Sequence, residues 1–215
     1  MKRLSITILL LVTIMAITLV VFSHTPTGKR LKSIYVPNHE ARHELPPVFI
    51  RKLSLKAPDA KAFAKKNNFN TGLCFLIDMS LPARQKRFFV YDLQNDSVIN
   101  SGLVTHGNCN QYWLEGRKYD NAIGCGCTSL GKYKLGYSYM GRFGLAYKLY
   151  GLESTNDNAF VRYVVLHSHS CVPETEVDSD ICQSNGCPTV SPGFLKELEL
   201  IIKGSKKPIL LWIFN

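Results

Sequence analysis

The sequence predicts a mostly-β, β-rich α+β domain with a few helices, preceded by an apolar N-terminal segment. Short runs of apolar, aromatic and β-branched residues alternate with turn residues, which is typical of strands. Hydrophobic residues make up 46% of the chain, enough to bury a core. The 215 residues suffice for one domain together with a linker and the N-terminal segment.

Residues 1–23 are interpreted as a signal anchor or a signal peptide. Lys2 and Arg3 precede an apolar run from about Leu4 to Phe22, which is long enough to cross a bilayer as a helix. No Ala-x-Ala cleavage site follows, and the basic start favours an N-terminus inside and a domain outside. The domain is therefore expected in the periplasm or another extracytoplasmic space, anchored to the inner membrane or secreted after cleavage.

Residues 24–55 are interpreted as a linker and residues 56–215 as the folded domain. A short helix is expected from Pro58 to Asn67, with proline at its start. The residues 107–147 are dense in glycine and tyrosine, as in long loops and short strands around a site. A second helix is expected over Pro192–Lys203. Strands are expected over Leu73–Met79, Arg87–Leu93, Ser97–Val104, Val161–His167 and Pro208–Phe214.

The charge and the cysteines narrow the class of protein. The formal net charge of +10 indicates anionic partners. No zinc-finger, RRM or homeodomain pattern is present, so a wall or membrane surface is favoured over nucleic acid. Seven cysteines in an exported chain predict disulfides, and their odd number leaves at least one thiol outside an intrachain bond.

A turn with the sequence Ser184-Asn185-Gly186-Cys187-Pro188 is the first candidate for chemistry. Gly186 permits backbone angles that other residues avoid and lets a substrate approach the chain closely. The Cys187 side chain is then directed by a restrained backbone, whose N–H groups can face a developing oxyanion. By itself, such a turn also fits a structural cysteine.

His167 is the second candidate, because it ends the apolar strand and is therefore held on a rigid support. A thiol has a free pKa of about 8.5, so it needs a base to act as a nucleophile at neutral pH. His167 can take that proton, while the main-chain carbonyl of Ser168 or a neighbour holds the imidazole. The alternative is a structural histidine at a strand end.

Together these residues resemble the L,D-transpeptidases, whose YkuD-type domains carry a His on a strand and, somewhat under twenty residues later, Ser/Thr-x-Gly-Cys. His167-Ser168 and Ser184–Cys187 match that pattern at a slightly stretched distance. The resemblance runs from about Leu73 to the C-terminus, and within the family the sequence is similar to the murein L,D-transpeptidase group. Further matches are Phe89–Leu93, His106-Gly107, Ser129–Gly131, Tyr139–Gly141, Gly151–Glu153, Asn156–Ala159, Arg162 and Gly186–Pro188.

The resemblance implies a sandwich-like β-rich fold and a catalytic set of Cys187, His167, Ser168 and Gly186. Cys187 would attack a peptidoglycan tetrapeptide stem, form a thioester and release D-Ala. An amine of a second stem would take the acyl group, or water would take it in an L,D-carboxypeptidase. Neither a cofactor nor a metal is required.

The sequence departs from the family pattern in three places. Phe143 stands where a histidine is often found, and Asn185 replaces the usual residue before Gly-Cys. The segment Ser170–Gln183, with two cysteines and four acids, is interpreted as an insertion. These changes bear on acceptor choice and substrate specificity more than on the nucleophile.

Four residues are assigned to substrate binding: Ser184, His106, Tyr139 and His169. His169 lies two residues from His167, so on a strand both imidazoles face one site. A solvated His169, a structural His106 and a packing role for Tyr139 are the alternatives. A zinc site of His169 with Cys125, Cys127 or Cys182 lacks the usual ligand spacing.

The insertion carries two further expectations. Its acids, Glu174 to Asp180, alternate along the chain, and a solvated loop is the favoured interpretation. In an extended segment they would share a face and form a negative field that attracts an amine acceptor, and calcium binding is a weaker third option. Cys171 and Cys182 flank these acids and are predicted to form a disulfide, although six structural cysteines allow about 15 pairings. The other cysteines, Cys74, Cys109, Cys125 and Cys127, could supply two more bonds, which would leave Cys187 free.

The rival function is a non-catalytic, disulfide-stapled module of the same fold that binds the cell wall. A zinc-dependent hydrolase is a further alternative. The complete His-Ser and Ser-x-Gly-Cys set favours the enzyme, because a binding module has no need of it.

Overall fold

The structure, a computed structural model, describes residues 47–215. The apolar segment 1–23 and the first part of the interpreted linker lie outside these residues. Within residues 47–215, none of the helices is both long and apolar enough to cross a membrane. The elements are α1 (Pro47–Lys66), β1 (Leu73–Asp78), β2 (Phe88–Asp92), β3 (Ser97–Gly102), β4 (Gly131–Gly141), β5 (Gly144–Gly151), a short 3-10 helix (Asp157–Ala159), β6 (Val165–Ser168), β7 (Thr189–Val190), α2 (Pro192–Gly204) and β8 (Leu210–Phe214).

The strands form one mixed sheet in the order β3-β2-β1-β8-β4-β5-β6-β7. The β1–β8 and β6–β7 pairs are parallel, and the others are antiparallel. The sheet curls until its two edges meet, since Val104, just after β3, pairs with Val190 of β7. The mostly-β α+β prediction is confirmed, but the expected sandwich is a single curled sheet.

Each face of the sheet carries its own hydrophobic cluster, because strand side chains alternate between the faces. On β1, Phe75 and Ile77 face the cluster that contains Phe194 and Leu198 of α2. Cys74 and Leu76 face the opposite cluster, which is covered by α1. Both faces of the central strands are therefore buried.

Helix α1 differs from the sequence prediction in its start. It begins at Pro47, within the segment interpreted as linker, and Pro58 lies inside it rather than at its first turn. Leu53, Ala57, Ala60 and Ala64 are spaced to share one helical face and are buried against the sheet. Burial of this face offsets the backbone hydrogen bond that Pro58 cannot donate.

The strands around the site also differ in length from the prediction. The region expected to hold loops and short strands contains β4 and β5, of 11 and 8 residues, which pair as a hairpin. The strand expected to start at Val161 starts at Val165, because the preceding residues follow the 3-10 helix as a turn. In this turn Tyr163 has a φ of 58°, outside the strand region. The predictions for β1, β2, β3, α2 and β8 are confirmed to within two residues at each end.

Candidate active site

The turn that carries Cys187 is held by the hydroxyl of Ser184. Its Oγ accepts a hydrogen bond from the N–H of Gly186 at 3.2 Å and donates to the carbonyl of Cys187 at 2.7 Å. Gly186 has a φ of +104°, a conformation that favours glycine. Ser184 is predicted to bind substrate; in the structure its hydroxyl makes hydrogen bonds within the turn.

A second loop packs directly behind this turn. A Cβ on Gly186 would lie 2.6 Å from the carbonyl oxygen of Cys127. That carbonyl also accepts a hydrogen bond from Arg162, whose guanidinium donates to the carbonyl of Asp120 as well. The close backbone approach explains why residue 186 is glycine, and Arg162 fixes the loop against which the turn rests.

The sulfur of Cys187 lies at the end of β6. It accepts a hydrogen bond from the N–H of Val165 at 3.5 Å and donates to the carbonyl of Tyr163 at 3.8 Å. Burial raises the pKa of the Cys187 thiol, although the Val165 N–H and the charges of Arg162 and Lys148 oppose that rise. The resting side chain at neutral pH is therefore a thiol.

His167 is buried in β6 and is fixed at both ring nitrogens. Nδ1 lies 3.1 Å from the carbonyl of Ser168, which confirms the predicted carbonyl contact. This contact assigns the proton to Nδ1, so Nε2 accepts from the hydroxyl of Thr189 at 3.0 Å. Burial lowers the pKa of His167, and the nearby charge of His169 lowers it further. At neutral pH the imidazole is neutral and able to accept a proton.

Cys187 and His167 lie on neighbouring backbone segments, but their side chains are not hydrogen-bonded to each other. Thr189, the partner of His167 in the β6–β7 pair, lies 3.4 Å through its hydroxyl from the carbonyl of Cys187. Among residues 47–215, no hydrogen bond joins the Cys187 sulfur to the imidazole. Sequence reasoning missed Thr189, although its position two residues after Cys187 places it on the strand beside His167.

Phe143 connects the two histidines. Its ring stacks on His167 with a centroid distance of 5.3 Å and meets His169 edge-on at 5.3 Å. The residue that departs from the family pattern therefore covers the imidazole proposed as base. His169 itself is half-buried and accepts a hydrogen bond at Nδ1 from the N–H of Cys171.

Comparison with known proteins gives the family. The L,D-transpeptidase catalytic domain family matches residues 48–212. The chain belongs to this family. A search of curated proteins found no match.

A search of solved structures also found matches. An L,D-transpeptidase from Mycobacterium smegmatis is 11% identical with a TM-score of 0.40, over 67% of this chain and 59% of that one. The helical cell shape determining protein Pgp2 from Campylobacter jejuni is 11% identical with a TM-score of 0.39, over 80% and 57% of the two chains. A fused Zn-dependent amidase/peptidase/peptidoglycan-binding domain-containing protein from Clostridium acetobutylicum is 14% identical with a TM-score of 0.37, over 81% and 65%. The chain thus spans about three fifths of the length of these neighbours.

Tyr139 and His106 are the other two predicted substrate-binding residues of this L,D-transpeptidase domain, and their surroundings differ from each other. Tyr139 is paired with Ala146, and Ala146 with His167, so the three residues occupy one row across β4, β5 and β6. His106 is buried, with Nδ1 3.2 Å from the guanidinium of Arg87. Burial and the charge of Arg87 lower the pKa of His106 to about 4. These contacts are those of a structural histidine.

The disulfides agree with the prediction in part. Cys171 and Cys182 are bonded as predicted, with a Cα–Cα distance of 6.0 Å. The expectation of two further bonds is wrong, because only the Cys109–Cys127 bond forms among the remaining cysteines that the structure describes. Cys74 is buried in β1 and stays free, as does Cys125.

Two of the four acids of the insertion, Glu174 and Glu176, make structural contacts. Glu174 accepts hydrogen bonds from the N–H of Gly193 and the hydroxyl of Ser191, the residue that caps α2. Glu176 accepts from the N–H of Lys86.

For the zinc alternative, Cys127 and Cys182 are bound in disulfides and cannot act as thiolate ligands. Within residues 47–215 no group of three or more His, Cys, Asp or Glu side chains is arranged to hold a metal.

Proposed function

We propose that this domain is a peptidoglycan L,D-transpeptidase in which Cys187 is the nucleophile and His167 the base. The sulfur attacks the carbonyl that links the L-centre of residue three of the stem to D-Ala, and the thiol proton passes to Nε2 of His167. The tetrahedral intermediate collapses to a thioester, and the same proton leaves with the amine of D-Ala. An amine acceptor then attacks the thioester and restores the thiol; water in its place gives an L,D-carboxypeptidase.

The observation that carries this proposal is the fixed tautomer of His167. The Ser168 carbonyl holds the proton on Nδ1 and leaves Nε2 as an acceptor directed toward Thr189, the strand neighbour of the Cys187 turn. The raised pKa of Cys187 and the lowered pKa of His167 make the resting pair neutral. Proton transfer therefore accompanies the attack, as general base catalysis requires. For this transfer the Cys187 sulfur must leave the Tyr163 carbonyl and take the place at Nε2 that the Thr189 hydroxyl occupies.

The backbone of the turn supplies a candidate oxyanion donor. The N–H of Gly186 is occupied by Ser184, and Pro188 has no N–H. The N–H of Cys187 donates no hydrogen bond within the part of the chain that the structure describes. It is therefore free to bind the oxygen that becomes negative during attack.

The cellular setting follows from the same proposal. Peptidoglycan stems lie outside the cytoplasm, and the apolar segment 1–23 would export the domain and anchor it to the inner membrane, unless it is cleaved. The basic surface of the chain, with a net charge of +10, suits an anionic wall.

Purified disaccharide tetrapeptide tests the function. Mass analysis should show release of D-Ala, with either a cross-linked dimer or a tripeptide as the second product. Turnover should be lost in Cys187→Ser and reduced in His167→Ala by roughly 100-fold or more, a typical loss on removing a general base. His169→Ala should have a smaller effect. Saturable binding of the tetrapeptide without any product would instead support the wall-binding module.

A further inference from the structure

Lys148 lies in an aromatic surround beside the proposed nucleophile. Its ammonium is 4.8 Å from the ring centre of Tyr139, 5.2 Å from that of Tyr163 and 5.6 Å from that of Phe160. The side chain is half-buried in β5. Ring faces attract a cation and hold it in position while leaving its charge uncancelled.

The sheet register places this lysine next to Cys187. Lys148 pairs with Val165, and the N–H of Val165 donates to the sulfur of Cys187. Tyr163, whose ring contacts the ammonium, accepts a hydrogen bond from the same sulfur through its carbonyl. Lys148 is therefore linked to the reacting atom through two residues, Val165 and Tyr163.

No carboxylate of the described residues neutralises this charge. Within residues 47–215 the ion pairs join Lys52 to Asp78, Lys132 to Glu153 and Lys203 to Glu199. Arg162, the other cation near the sulfur, donates only to neutral oxygens of Asp120, Cys127 and Ser129. The charges of Lys148 and Arg162 both act on Cys187, since both lower the pKa of its thiol. Lys148 and Arg162 are therefore the cations that act on the sulfur. Of the two, Arg162 also faces the Asp120 carboxylate, whose pKa is lowered by the N–H of Ala122 and by the charge of Arg162.

We propose that Lys148 is a specificity-determining residue that binds a carboxylate of the acyl donor, namely the terminal carboxylate of the departing D-amino acid. This inference rests on the proposed function. In that reaction the carboxylate lies only a few bonds from the carbonyl that Cys187 attacks. A cation held by Tyr139, Phe160 and Tyr163 supplies its counter-charge and favours such a donor over one that ends in a neutral group.

Alkylation of Cys187 tests the charge without any need for turnover. Iodoacetate carries a carboxylate and iodoacetamide does not, so their rate ratio reports the charge near the sulfur. The full-length protein is treated with each reagent, and peptide mapping measures alkylation of Cys187 separately from that of the other free cysteines. Lys148→Met should lower the iodoacetate-to-iodoacetamide ratio by about two- to five-fold, the range measured for partly exposed charge pairs. Lys148→Arg should retain the ratio. Added salt should reduce the difference in this ratio between the unmodified protein and Lys148→Met.

Lys134→Met is the matched control. Lys134 also stands over a tyrosine ring, 5.0 Å from that of Tyr150, but it lies toward the opposite end of β4 from Tyr139. This variant should leave the ratio unchanged. Equal ratios in the Lys148→Met and Lys134→Met proteins would overturn the proposal.

A second experiment uses peptide donors as substrates. Tetrapeptide donors ending in a free carboxylate or in a carboxamide are compared for kcat and KM. Lys148→Met should raise KM for the carboxylate donor and leave KM for the carboxamide donor unchanged, whereas an equal effect on both would contradict carboxylate binding. If the unmodified protein turns over neither donor, the proposed function fails, and the alkylation ratio then decides whether Lys148 attracts anions to this sulfur.

Discussion

Gly186→Ala perturbs the turn that presents Cys187, and its consequences can be worked out from the backbone. The new methyl group would lie 2.6 Å from the carbonyl oxygen of Cys127, closer than real Cβ atoms approach. It would also occupy a φ of +104°, which L-residues rarely adopt. Gly144→Ala is a suitable control, because Gly144 has a φ of +86° but nothing within 4 Å of its added Cβ.

The two variants share backbone strain and differ in the steric clash. Strain at a positive φ costs about 1–2 kcal/mol. Overpacking of a close contact costs about 1–3 kcal/mol more. Gly186→Ala should therefore lower the free energy of unfolding by about 2–5 kcal/mol, and Gly144→Ala by about 1–2 kcal/mol.

Urea unfolding at neutral pH measures both losses of unfolding free energy, provided that the dependence of this free energy on urea concentration has the same slope in each protein. The alkylation rate of Cys187 should also change in Gly186→Ala, because the turn must move away from Cys127 to accommodate the methyl group. Equal losses of stability in the two variants, with an unchanged rate of alkylation, would refute the inferred approach of this turn to the Cys127 loop.

Three other outcomes are expected. Replacing both Cys171 and Cys182 with alanine should lower the unfolding free energy by about 3 kcal/mol on the chain-entropy model, measured in urea; unchanged stability would contradict it. The pKa of His106 is lowered to about 4, so the unfolded chain binds an extra proton below its ordinary value. Stability should therefore fall as pH drops from about 6.5 to 4, by at most about 3 kcal/mol, and less so in His106→Gln. Since the pKa of Cys187 is raised, its alkylation should increase with pH through a midpoint above about 8.5; a midpoint near pH 6 would indicate a thiolate–imidazolium pair with His167 instead.

The sequence predicts best those features that depend on local pattern. The strands β1, β2 and β8 are short apolar runs buried on both faces, and their length and flanking turns identify them. The Ser168 carbonyl contact follows from its position beside His167. The Cys171–Cys182 bond joins residues with a sequence separation of 11, a local loop that sequence reasoning could propose among many pairings.

Features that depend on tertiary packing were missed. Pro58 gave a false helix start, because burial of an alanine-lined face carries α1 through the proline. Thr189 has no motif of its own, and its contact with His167 exists only because β6 and β7 pair in parallel. The aromatic surround of Lys148 likewise depends on the pairing of β5 with β4 and β6, which spacing along the chain does not show.

If the Cys187 sulfur carries the acyl group, the mass of the acyl-enzyme will show it. The full-length protein is mixed with disaccharide tetrapeptide and quenched in acid, and its intact mass and peptide map are recorded. We expect a mass gain equal to the disaccharide tripeptide acyl group on the peptide that contains Cys187, and no such gain in Cys187→Ser. An adduct on Cys125, or turnover in Cys187→Ser above about one percent of the unmodified protein, a scale set by the loss expected without general base assistance, would contradict it.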